Sequence, residues 1–283
     1  MRIDAHQHYW KLSRGDYGWL SPQMPTLYRD YLPADLQPSL AAHRIDGTIA
    51  VQAAQTLEET DYLLELAERE PSILGVVGWL DPADPACVAH YERHSRHPKY
   101  VGFRIMIQEL ADAETILEPG YVARLRELAQ RDAPIDLLVL AHQLDPLVRL
   151  LDQIPELRGV VDHLAKPPIA AGELEPWRSR MAEIAAHPGI YCKLSGMVTE
   201  ADHDGWRPED LTPYVRAVWE LFGPERVMYG SDWPVCLLAS SYDRLAEALE
   251  QALPEGLSAA QRGALYGGNA AAFYKLNTKG DVR

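Results

Sequence analysis

Eight short apolar runs rich in β-branched residues recur along this chain, at 2–6, 45–52, 73–80, 101–106, 135–141, 159–162, 190–194 and 227–230. Several are continuously apolar rather than alternating, such as Ile-Leu-Gly-Val-Val-Gly at 73–78 and Asp-Leu-Leu-Val-Leu-Ala at 136–141. Strands of that kind suit a parallel sheet covered on both faces. Helical periodicity fills the gaps, over 58–70, 119–131, 145–154, 173–187, 208–222, 241–253 and 258–276. The first of these opens with acidic residues and carries Tyr62, Leu63, Leu66 and Ala67 on one stripe. Eight strands alternating with helices predict an α/β fold, a single-domain (β/α)8 TIM barrel over 1–283. The longest irregular segment, about 9–31, follows the first strand and holds Tyr9, Trp10, Tyr17, Trp19, Tyr28 and Tyr31. It reads as a loop insertion on the face where barrel enzymes keep their active sites, or as a loop packed on the rim.

Length and composition agree with one soluble domain. The 283 residues are 47% hydrophobic and 24% charged. A net charge of −14, from 27 basic and 41 acidic residues, disfavours nucleic-acid and anionic-membrane partners. It says little about a small substrate. Cys87, Cys192 and Cys236 are widely spaced and form no zinc pattern, so they read as reduced, buried thiols. No leader-like segment and no apolar run long enough to span a bilayer is visible, and the expectation is a cytoplasmic protein. Association into a homo-oligomer is left open.

Polar groups collect where the strands end. Strand one ends in His6-Gln7-His8, and residues i and i+2 of a strand share a face, so two imidazoles can converge there. Strand two ends in Gln52 and Gln55, and strand three in Trp79-Leu80-Asp81. Strand four carries Arg104, and strand five ends in His142. Strand six ends in Asp162-His163 with Lys166 close behind, strand seven holds Lys193 and Ser195, and strand eight runs into Ser231-Asp232-Trp233-Pro234. Four of the ten histidines therefore fall at three strand ends. Bland readings stand beside these. Asp232 before Trp-Pro suits a turn or a helix cap, and Arg104 suits a structural ion pair. Lys166 and Lys193 suit solvated or ion-paired roles, and the tryptophans suit core packing.

The constellation of His6-x-His8, His142, His163 and Asp232, in that order along eight strands, resembles the amidohydrolase superfamily. The Gly-Ser-Asp-Trp-Pro at 230–234 and the Gly268-Asn269-Ala270 resemble its sugar-lactonase subgroup, of L-fuconolactonase and L-rhamnonolactonase type. The resemblance implies a hydrolase that opens an aldono-1,4- or 1,5-lactone. Many members carry a carboxylated lysine or a glutamate on strand four that bridges two metals. Arg104 stands there instead and has no acceptor with which to bridge cations. What remains is one divalent ion, zinc, on His6, His8, His163 and Asp232, or a metal-independent site; the subgroup includes both. A lactone is an activated ester, so a Lewis acid is useful without being obligatory.

On this reading Asp232 is the general base toward water. Arg104, His142, His163 and the His6/His8 pair are the candidate donors to the oxyanion. Gln52, Trp79, Lys166 and Trp233 are candidate substrate contacts. Ser195 and Ser231 lack a nucleophile-elbow sequence. Three rivals remain: a zinc-dependent decarboxylase of the same superfamily, a hydrolase of carboxylated lactones from aromatic degradation, and a non-catalytic sugar-binding barrel. The second would want several arginines in the pocket, and only Arg104 stands at a strand end.

Overall fold

In the computed structural model, which describes residues 1–276, the eight apolar runs become strands β1 (Ile3–Gln7), β2 (Gly47–Val51), β3 (Ile73–Trp79), β4 (Tyr100–Met106), β5 (Ile135–Leu138), β6 (Gly159–Val161), β7 (Ile190–Leu194) and β8 (Val227–Tyr229). They pair in sequence order, each parallel to the next. Just beyond the strand ends Gln7 bridges to Trp233, His8 N–H donates to the Trp233 carbonyl (2.7 Å), and Asp232 N–H donates to the His6 carbonyl (2.8 Å). Those bonds close the ring between first and last strands, giving a (β/α)8 barrel. The last seven residues of the predicted domain, 277–283, lie outside the described residues.

Helices α1 (Pro33–Ala42), α2 (Leu57–Arg69), α3 (Cys87–His94), α4 (Pro119–Gln130), α5 (Leu144–Gln153), α6 (Trp177–Ala185), α7 (Pro208–Phe222) and α8 (Tyr242–Ala252) wrap the barrel. Most of the core lies between them and the sheet. A smaller cluster joins Ile3, Ala5, Ile49, Val51, Val77, Val160 and Met228 to Phe273 and Tyr274 of the C-terminal segment. Strands from all round the ring contribute to it, so it lies inside the barrel. Among the described helices none is long and apolar enough to cross a membrane.

The structure departs from the sequence expectation in four places. Helices α1 and α3 have no counterpart in the periodicity reading. Helix α1 holds Pro33 at its start and Pro38 within, and α3 has only eight residues, so neither shows a sustained apolar stripe. Strand β5 ends at Leu138, and 141–143 form a short 3-10 turn, which takes His142 off the strand. The expected helix over 258–276 breaks at Tyr266–Gly267. A Cβ on Gly267 would fall 2.3 Å from the Met1 carbonyl oxygen, so the chain turns there around the first residue. Finally, β1 bulges against β2 between Asp4 and Gln7, next to both strand-one histidines.

The loop after β2 is held from below. Thr56 caps α2 by accepting from Glu59 N–H (3.1 Å), and Glu59 accepts the N–H groups of Ala53 and Ala54. Burial lifts the Glu59 carboxyl from 4.5 to about 8, against the pull of those N–H groups. A carboxyl raised in the folded state contributes stability that is complete below its unfolded value and lost as pH climbs through its folded one. The wild-type chain is therefore expected to lose roughly 2–5 kcal/mol between pH 4.5 and 8 relative to Glu59→Gln. Urea midpoints measured across that range test this, and parallel curves for the two proteins would refute it.

Two glycines give opposite expectations. Gly263 is helical (φ −62°) with open space where a Cβ would lie, so Gly263→Ala should stabilise by about 0.5–1 kcal/mol. A Cβ on Gly230 would fall 2.6 Å from His6 Cβ, so Gly230→Ala should destabilise by about 1–3 kcal/mol. Chemical denaturation of both variants decides, and equal effects would contradict the packing described here.

Candidate active site

Three imidazoles surround one carboxylate oxygen at the C-terminal end of the barrel. Asp232 Oδ1 lies 3.3 Å from His8 Nε2, 3.8 Å from His6 Nε2 and 3.9 Å from His163 Nε2. All four side chains are buried. The far side of each ring is also engaged. His8 Nδ1 lies 2.8 Å from the Val51 carbonyl, which can only accept, so Nδ1 is the donor. His163 Nδ1 meets Ser195 Oγ at 2.9 Å. His6 Nδ1 faces Lys193 Nζ at 3.1 Å and Asp162 Oδ1 at 3.3 Å.

Backbone strain aims two of these groups. Asp232 has φ +57°, and four consecutive residues, His163 to Lys166, have φ between +50° and +59°. Each such conformation costs on the order of 1 kcal/mol or more in a residue other than glycine. The strained turn is tied by Lys166 N–H to the His163 carbonyl (2.7 Å) and by Trp177 Nε1 to the Leu164 carbonyl (2.7 Å). Gly196 leaves room for the His163 ring, because a Cβ there would fall 2.5 Å from Nδ1. Asp4 joins the two ends of the site. It accepts from His6 N–H (3.2 Å), Ser231 N–H (2.9 Å) and Tyr242 O–H (3.1 Å).

Electrostatics set the charge states. Burial pushes the His163 imidazole down to about 4 and His6 well below its ordinary range, against the attraction of Asp232 and Asp162 respectively. Burial alone would raise the Asp232 carboxyl, but His163, His8 and His6 outweigh it and hold the group below its usual value. At neutral pH His6 and His163 are neutral and the Asp232 carboxylate is ionised. With Nδ1 committed to the Val51 carbonyl, His8 turns Nε2 toward Asp232 Oδ1, an arrangement that a proton or a cation between the two atoms satisfies. The donor set of three nitrogens and one oxygen therefore suits a divalent ion, and His6, His8 and Asp232 lie close enough together to share one.

Beneath this cluster lies a fully buried charge network. Lys193 on β7 pairs with Asp136 on β5 and lies 3.1 Å from Asp162 Oδ1. Asp136 accepts from Tyr274 O–H (2.8 Å). Arg104 reaches Asp162 Oδ2 (3.3 Å) and donates from Nε to Gln52 Oε1 (3.1 Å). Two cations and two anions balance with almost no exposure to water.

A cavity of about 570 Å³ opens above, and its wall includes His8, Arg104, His163, Lys166 and Asp232. Sequence reasoning missed Asp16, Gln108 and Glu109 as parts of that wall, whereas Trp19, one of the loop aromatics it pointed to, does line it. Trp19 is 41% exposed, packs edge-on against Trp10 and donates to the Ala53 carbonyl (2.8 Å). Its place within the aromatic segment at 9–31 was the available signal. The network residues Asp136 and Asp162 lay inside or beside strands, where nothing local marked their pairing.

Five expected site residues do not reach the wall, among them His6, which is fully buried behind it. His142 leaves with the 3-10 turn after β5. Trp233 packs between Tyr9 and Tyr31. Gln52 turns to Arg104. Trp79 is half-buried at the end of β3. Lys166 does reach the wall, with Glu200 4.0 Å away.

Comparison with known proteins gives a consistent result. The chain matches the profile of the family described as amidohydrolase over residues 3–276. It is 41% identical over 281 residues to the L-fucono-1,5-lactonase of Burkholderia ambifaria, spanning 98% of this chain and 96% of that one. Against the L-fucono-1,5-lactonase of Burkholderia multivorans it is 41% identical over 293 residues, spanning 100% and 99%. The crystal structure of an amidohydrolase from Burkholderia multivorans with bound zinc superposes with a TM-score of 0.91 at 41% identity, over 98% of this chain and 99% of that one. With the barrel, the histidine–aspartate cluster and a family match along nearly its whole length, this chain belongs to the amidohydrolase family.

Proposed function

We propose that this protein is a lactonase, a carboxylic-ester hydrolase that opens a neutral sugar lactone, with an L-fucono-1,5-lactone as the first candidate substrate. The observation that carries the reading is the convergence of His6, His8, His163 and Asp232 on one point beside a cavity of sugar size. Relatives with L-fucono-1,5-lactonase activity at 41% identity support the substrate class.

The residues divide the work as follows. Asp232 Oδ1 faces the imidazoles, which leaves Oδ2 to take a proton from water as the oxygen attacks the lactone carbonyl. The ring C–O bond then breaks, and the ring oxygen receives the proton that Asp232 took from the water. Arg104 on the cavity wall adds positive charge near the developing oxyanion. A zinc ion held by His6, His8, His163 and Asp232 would supply a Lewis acid for the carbonyl. Gln55, Gln108 and Thr199 offer hydrogen-bonding groups to sugar hydroxyls, Lys166 reaches the same wall, and Trp19 covers the mouth.

Charge on the wall favours a neutral substrate over a carboxylated one. Arg104 is engaged by Gln52 and Asp162, and Lys166 faces Glu200. Asp16 and Glu109 add negative charge to the same wall.

A pH-indicator screen of aldono-1,4- and 1,5-lactones tests the activity. Asp232→Asn should lower turnover by about 100-fold or more if this residue is the base, and near-normal rates in that variant reject the role. Stripping divalent metal should lower turnover, and added zinc should restore it. Full activity in protein shown to hold negligible metal would remove the Lewis-acid part while leaving the hydrolase reading intact.

A further inference from the structure

His6 stands between two incompatible sets of neighbours. On its Nδ1 side are Lys193 Nζ at 3.1 Å and Asp162 Oδ1 at 3.3 Å. On its Nε2 side are Arg104 at 3.5 Å and Asp232 Oδ1 at 3.8 Å. A neutral imidazole has one N–H and one lone pair. If Nδ1 accepts from Lys193, the proton sits on Nε2 and that nitrogen cannot ligate a cation. If Nδ1 donates to Asp162, the Nε2 lone pair faces the space shared with Asp232 and Arg104.

Both ring nitrogens face a donor, and the nearer one sets the preferred arrangement: Lys193 Nζ lies 3.1 Å from Nδ1, Arg104 3.5 Å from Nε2, and Asp232 Oδ1 at 3.8 Å stands ready for an Nε2 proton. Asp162 Oδ1, fully buried, is ion-paired with the same Lys193 at 3.1 Å and lies 3.3 Å from His6 Nδ1, yet no hydrogen bond is aligned on it. A buried carboxylate oxygen with no aligned hydrogen bond has capacity left for a further donor. Its partner oxygen is anchored by Arg104, which Gln52 clamps in turn, so the carboxylate cannot turn away to find another donor. Lys193 has a strong alternative in Asp136.

We infer that Asp162 is a positioning residue for His6, and that its Oδ1 is the acceptor held ready for the Nδ1 proton when Nε2 becomes a metal ligand. Lys193 holds the opposite tautomer until then. The exchange removes a proton from Nε2 and places one on Nδ1, so the charge of the imidazole is unchanged. Lys193 keeps its two carboxylates throughout. A carboxylate behind a metal-bound histidine raises the basicity of the ligating nitrogen, and losing such a partner typically weakens metal binding 10–100-fold. The inference rests on the metal-assisted reading above.

The test is nitrogen-15 NMR of histidine-labelled full-length protein, metal-stripped and zinc-loaded, with His6 assigned by comparison with His6→Gln. The expected result is an Nε2–H tautomer without metal and an Nδ1–H tautomer with zinc. Zinc affinity, read by competition with a chromophoric chelator, should fall about 10–100-fold in Asp162→Asn. The paired change Lys193→Met with Asp136→Asn removes one charge of each sign. It should tighten zinc binding and hold His6 as Nδ1–H even without metal. The same tautomer in both wild-type states overturns the inference, as does an unchanged affinity in the paired variant; if the variants do not fold, the wild-type spectra decide alone. Failure of the wild-type chain to bind zinc removes the metal reading and this inference together, whereas zinc binding without a tautomer change removes the inference only.

Discussion

Four charged side chains sealed inside the barrel, Asp136, Lys193, Asp162 and Arg104, must neutralise one another without water, and the reactive layer stands on that balance. Removing one member would leave an uncompensated buried charge, at a cost of about 3–5 kcal/mol. The network also determines where His6 can place its proton. The pairing therefore links the stability of the barrel centre to the chemistry one layer above it. Apolar residues of similar size could fill the same space, but they could not direct an imidazole lone pair.

Above that layer, precision comes from strained backbone held by ordinary contacts. Asp232 and the turn from His163 to Lys166 occupy left-handed conformations that side chains other than glycine's rarely adopt. They persist because surrounding bonds over-determine them. Asp4 ties β1 to the segment after β8, Trp177 holds the strained turn through the Leu164 carbonyl, and Gly196 and Gly230 leave the space that the His163 and His6 side chains need. The first and last strands of a barrel are neighbours, so residues more than two hundred positions apart become rigid partners.

The mouth of the cavity follows a different logic. It is built from loops pinned to each other by single polar contacts: Thr56 to Asp16, Trp19 to the Ala53 carbonyl, and Glu59 to the N–H groups of Ala53 and Ala54. Strand ends and the strained turns directly after them carry the reacting groups, while loops carry the groups that meet the rest of the substrate. Substrate preference can thus vary through the loops without disturbing the charge network beneath.

Hydrophobic periodicity records which positions face away from water, and that one-dimensional property was enough to read eight strands, most of the helices and the closed barrel. The His-x-His pair and Asp232 were legible too, because a polar group at the end of an apolar strand is anomalous in its own neighbourhood. Helices α1 and α3 were not legible, since internal proline in one and short length in the other leave no stripe to read. The displacement of His142 turned on where β5 stops, a boundary set by packing rather than by composition. The pairing of Lys193 with Asp136 and its contact with His6 join residues 57 and 187 positions apart. Charge pairing depends on distance across the barrel interior, and only the closed ring of strands sets that distance.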